Sequence, residues 1–223
     1  MENTANVLFS IGPLEVTKAV VSMWVIIAVI GIVSFIATRR LKDVPGPIQN
    51  AAEMAVAKLQ DYFTGNMGAE NARRYFPVMA TFFVFIVVSN YSGLLPGAGK
   101  LFSVPTANLS TTAGLALIAF FTTHVVGVKR RGFVGYLKTF LTPFAVMLPL
   151  TLIEQLVRPL SLALRLYGNL YGEEMVTEQL GELFPLLLPL VMQVLSLLFC
   201  LIQAVVFTML LSVYVTEAVE DEE

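Results

Sequence analysis

From Leu183 to Thr216 the chain runs without a single charged side chain. As an α-helix that stretch would be about 51 Å long, whereas roughly 20 residues cross the ~30 Å hydrocarbon core of a bilayer. Much of the remaining sequence has the same character. Of 223 residues, 57% are hydrophobic and 13% charged, against about 25% charged in ordinary soluble domains. A soluble fold of this length could not hide so much apolar surface, and disorder requires far more charge. The expectation is an all-α polytopic membrane protein forming one membrane domain over residues 1–223. A lone cysteine, Cys200, permits no internal disulfide, and a net charge of −2 gives no reason to expect a nucleic-acid partner.

The basic residues divide this apolar chain into spans. A first span over 19–38 is closed by Arg39 and Arg40. Its heavier positive charge lies behind rather than in front, and no small-residue cleavage site is evident, so it reads as a retained helix rather than a signal peptide. Cytoplasmic flanks collect Lys and Arg, which puts the N-terminus outside. Residues 43–62 begin with Pro45, Gly46 and Pro47 and mix apolar residues with Glu53, Lys58 and Asp61, the pattern of an amphipathic helix on the cytoplasmic surface. Arg73 and Arg74 precede a second span over 76–95, which ends at Ser89-Asn90 and Pro96-Gly97. A third span over 109–128 returns to Lys129, Arg130 and Arg131.

Beyond residue 138 the pattern changes, because charges now stand inside apolar sequence: Glu154, Arg158, Arg165, Glu173 and Glu174. The uncharged segment that follows is too long to stand upright in the membrane unless Pro185 and Pro189 break it. A long tilted hairpin, 139–180 against 183–217, is the expected arrangement, giving about five membrane-embedded helices and one interfacial helix. The acidic C-terminal tail is expected in the cytoplasm.

Familiar catalytic motifs are missing. The string Gly93-Leu-Leu-Pro-Gly-Ala-Gly-Lys100 has Leu94 and Leu101 where a phosphate-binding loop needs glycine and Ser or Thr. His124 is the single histidine and reads as structural or interfacial. No catalytic, metal or cofactor constellation is visible.

Charge inside the membrane is costly and usually faces protein or water along an ion path. Arg158 has Glu154 one turn earlier, where an i,i+4 pair neutralises it. Arg165 has no carboxylate nearer in sequence than Glu173. Leu162, Arg165, Asn169, Gly172 and Glu173 recur at helical spacing and are expected on one face. Gln193, Ser196, Cys200 and Gln203 form a second polar stripe, either knitting helices together or lining a pathway.

These residues carry a resemblance. Ser161-Leu-Ala-Leu-Arg-Leu-Tyr-Gly-Asn169 resembles the signature S-L-x-L-R-L-F/Y-G-N of the subunit a family of F-type ATP synthases. Pro45-Gly-Pro-Ile-Gln-Asn50, Val88-Ser-Asn-Tyr-Ser-Gly-Leu-Leu-Pro96, Pro105-Thr-Ala-Asn-Leu-Ser-Thr-Thr112 and Gln203-Ala-Val-Val-Phe207 resemble family segments in the same order. The resemblance implies that Arg165 is the family's essential arginine, facing a rotating ring of c subunits. It further implies that Glu174, Asn169 and Gln203 are its polar companions along an ion path. Ser196 stands where some members have histidine, Asn108 where many have aspartate, and Glu173 where the family usually has a small residue.

The implied function is translocation of an ion, with the proton as leading candidate, through two half-channels, coupled to ATP synthesis by catalytic subunits elsewhere. Implied partners are the c-ring, the b subunits of the peripheral stalk, the rest of the complex and the lipid bilayer. The implied location is a bacterial inner membrane; no transit peptide points to a thylakoid. The alternative is a secondary transporter with a substrate site at Arg165, which would call for internal repeats.

Overall fold

The computed structural model describes residues 7–11, 14–39, 46–95, 103–139, 148–183 and 187–219. Its helices are α1 (Lys18–Thr38), α2 (Pro47–Met67), α3 (Ala69–Tyr91), α4 (Leu109–Thr139), α5 (Leu148–Leu183) and α6 (Leu187–Val219). Four of them, α1, α3, α4 and α6, are long and apolar enough to cross a membrane. The architecture is that of an all-α polytopic membrane protein. α5, at 36 residues, is longer than any of these, but its charged residues interrupt the apolar sequence that a simple span needs, and it is held by its contacts with α4 and α6.

One element departs from the expected all-helical chain. Ahead of α1, β1 (Val7–Ile11) and β2 (Leu14–Thr17) pair antiparallel, with Ile11 opposite Leu14 and Ser10 opposite Glu15. These short apolar segments lie outside the helical periodicity, so nothing in the pattern announced them.

The helix α2 also differs from expectation. It starts at Pro47, whose fixed φ and missing N–H suit the first helical position, and continues to Met67. Residues 50–58 are exposed. Its last turn is not: Phe63 is 0% and Met67 3% exposed, and both join the core. Phe63 meets Phe76 of α3 edge-on at 6.3 Å. The turn between the two helices is Gly68, at φ 75 and ψ 159, a region essentially closed to residues with a Cβ.

The core lies where α3, α4, α5 and α6 meet. Small residues, Ala116 and Ala119 on α4, Ala163 on α5 and Ala204 on α6, are nearly fully buried at the contacts. In lipid no hydrophobic force drives helices together, so close backbone approach through small residues does that work. Large side chains fill the gaps between them; Phe82 of α3 stacks on Phe207 of α6 at 5.9 Å. By contrast α1 is peripheral, with Trp24, Ile32 and Ile36 all more than half exposed.

At its far end α4 is broken rather than straight. Gly132 adopts φ 73 and ψ 161, and the chain doubles back so that the Tyr136 ring covers Gly127, where a Cβ would collide with it. Substituting Gly132→Ala should therefore cost about 1–3 kcal/mol. It would show as a lower unfolding temperature of the detergent-solubilised protein. Gly31→Ala, in open space on α1, should leave that temperature unchanged or slightly raised.

Candidate functional site

The two long helices form an antiparallel hairpin clamped at its open end. Arg158 on α5 binds Glu154 one turn earlier and Glu217 near the end of α6, both at 2.5 Å. Its guanidinium also lies over the Tyr214 ring at 4.6 Å. Arg158 thus ties α5 to α6 in addition to pairing within its own helix. Because both helices rise equally per residue, this clamp sets Glu173 of α5 at about the level of Gln203 of α6.

Seven residues beyond Arg158, and so about 10 Å along the axis, stands Arg165. It is exposed, and it makes no hydrogen bond or ion pair with any described residue. The exposed large side chains next to it on α5 are apolar: Leu160 is 56% and Leu164 49% exposed. A permanent cation is therefore presented beside exposed leucines, with its charge uncompensated by any described residue. Glu174 is exposed as well, whereas Asn169 and Glu173 are half-buried.

The expected single face does not hold together. Leu162 is 3% exposed and belongs to the core, because the residues of α5 turned inward are Leu162, Ala163 and Leu166, while Arg165 points away. The stripe on α6 divides too. Gln193 is exposed, but Ser196, Cys200 and Gln203 are 3%, 2% and 6% exposed. These three are turned inward, away from the exposed surface that carries Arg165.

Together with α3 they make a buried polar cluster. Asn90 donates from Nδ2 to the Cys200 carbonyl at 3.4 Å, and the Tyr91 hydroxyl donates to the Leu197 carbonyl at 3.1 Å. Glu173, half-buried on α5, lies at about the same level along the hairpin. Several buried polar atoms have no partner there: Glu173 Oε2, Gln203 Nε2, Asn90 Oδ1 and Ser89 Oγ. Buried groups normally find a partner or a water, so this concentration marks a place suited to water. Ser89 and Asn90 were legible only as the polar end of an apolar span. Their inward aim depends on how α3 meets α6.

Two further residues have structural duties. Asn108 caps α4, its Oδ1 accepting the Ser110 N–H at 2.9 Å; aspartate in the same position would cap equally well. His124 has Nδ1 2.8 Å from the Phe120 carbonyl and packs between Phe120 and Tyr136.

The fold and this site define a polytopic helical membrane protein organised around a charged, clamped hairpin. The profile of the family described as ATP synthase A chain matches residues 20–216. Subunit a 3 of the ATP synthase of Pelobacter propionicus is 42% identical over 219 residues, covering 95% of this chain and 93% of the relative. ATP synthase subunit a of Trichlorobacter lovleyi is 42% identical over 208 residues, covering 92% and 88%. ATP synthase subunit a 2 of a Bradyrhizobium species is 38% identical over 216 residues, covering 97% and 95%. The chain belongs to the ATP synthase A chain family, whose members serve ion translocation coupled to ATP synthesis in the membrane sector.

Proposed function

We propose that this chain is the static half of a rotary proton path, working against a ring of c subunits whose carboxylates pass Arg165 in turn. The observation that carries the reading is the exposed Arg165, which no described residue neutralises and which stands beside exposed leucines. A carboxylate arriving beside a fixed cation is favoured as the anion, so it gives up its proton there. The same charge repels a proton attempting to pass straight through. Each elementary charge that crosses the membrane delivers about 2.3 kcal/mol per 100 mV, and the ring carries that energy to catalytic subunits elsewhere.

In this reading Glu173, Ser196 and Gln203, joined by Asn90, line one aqueous half-channel, and Glu174 and Asn169 stand nearer the ring. Glu154 and Arg158 hold the hairpin in register. The N-terminus lies outside and the C-terminus in the cytoplasm of a bacterial cell, with b subunits of the peripheral stalk as further neighbours. Arg165 is exposed rather than enclosed, which is poor geometry for the substrate site of a transporter.

The test is proximity in the assembled complex. A cysteine at Leu164, beside Arg165, should form a disulfide with a cysteine placed near the ring carboxylate. A cysteine at Ile32 on α1 should not. A bond from Ile32 and none from Leu164 would put the ring on the other side of the chain and end the proposal.

A further inference from the structure

Between α1 and α3 lies a cavity of about 540 Å³ that the ion path does not use. Its walls are mainly apolar, with Val25 and Val29 of α1 facing Val88 of α3. One end is different: Lys18 stands there with the hydroxyl-bearing Ser22 and Ser92. Lys18 is also the first residue of α1, so the positive end of that helix dipole lies at the same end as the lysine.

Size and polarity together restrict the occupant. From Lys18 to Val29 the groove follows α1 for about 16 Å, close to half of the ~30 Å hydrocarbon core and so to one leaflet. The volume falls within the ~300–1,000 Å³ usual for a small-molecule site. A partner's membrane helix, ~10 Å wide and ~30 Å long, occupies several times that volume. A slot one leaflet deep, oily along its length and cationic at the membrane surface, has the shape and charge of an amphiphile with an anionic head.

We propose that this cavity binds one anionic phospholipid, its phosphate at Lys18, Ser22 and Ser92 and one acyl chain along Val25, Val29 and Val88. The lipid fills the gap that separates α1 from the remaining helices. It thereby fastens an otherwise peripheral helix to the core.

The experiment uses the purified, detergent-solubilised complex titrated with dioleoyl phosphatidylglycerol, dioleoyl phosphatidylcholine or inorganic phosphate, read by thermal unfolding and by native mass spectrometry of retained lipid. Phosphatidylglycerol should raise the unfolding temperature and remain bound, phosphatidylcholine should do so weakly, and inorganic phosphate should do nothing. Lys18→Gln should weaken phosphatidylglycerol binding about fivefold, the effect of one basic residue near an anionic lipid. Lys58→Gln, on the exposed half of α2, should not. An unchanged preference in Lys18→Gln, or a response to phosphate equal to that to the lipid, would overturn the proposal. As a check independent of stability, a photo-crosslinking residue at Val25 should label lipid; labelling of another protein subunit would show that a partner's helix fills the groove and would equally overturn it.

Discussion

Replacing Arg165 with alanine should reduce coupled ATP synthesis in inverted membrane vesicles to background while leaving the complex assembled. The size of the effect follows from electrostatics. A cation within about 4–6 Å lowers a carboxylate pKa by 1–3 units, so its removal cuts the anionic fraction at the release point by roughly 10- to 1,000-fold. The exposed side chain makes no hydrogen bond or ion pair with described residues, so its loss should cost little stability. Arg165→Lys is expected to rescue only part of the activity, because a buried lysine can shed its charge whereas arginine cannot. ATP synthesis at the wild-type rate in Arg165→Ala, with the ring still co-purifying, would refute the role given to this residue.

The second large effect is expected at Glu173. Its Oε2 is buried with no hydrogen-bond partner among the described residues, whereas Glu174 is exposed. Positioned acid–base groups contribute about 10²- to 10⁴-fold to proton transfer. Glu173→Gln should therefore lower ATP-driven proton pumping by about 10²-fold, and Glu174→Gln by only a few-fold. Restoration by Glu173→Asp would point to the carboxylate rather than to side-chain volume. Should Glu174→Gln prove the more damaging of the two, the half-channel opens on the other side of α5.

The ranking of these two glutamates shows where reading the sequence stops. Helical spacing assigns Arg165, Asn169 and Glu173 to one face only if that face is taken as wide. Core formation by Leu162, Ala163 and Leu166 rotates α5 about its axis, leaving Arg165 outside and Glu173 half-buried. Similarly, Ser196, Cys200 and Gln203 form a visible stripe, but no periodicity states which neighbouring helix it meets. Asn90, donating to the Cys200 carbonyl across 110 positions of sequence, is a partner that no local pattern could name.

Membrane character, helical class and the singular position of Arg165 were legible in the residues alone, because they rest on local quantities. Long uncharged runs are unaffordable in water, every backbone polar group in lipid must be satisfied within its own segment, and a lone internal charge stands out wherever the helix turns. Other features depended on contacts between distant segments. The turn at Gly132 that lays Tyr136 on Gly127, the insertion of Phe63 and Met67 into the core, and the bond from Arg158 to Glu217 are three such cases. Each is settled by which surfaces bury best together, an energy that belongs to pairs of helices and not to either helix's sequence.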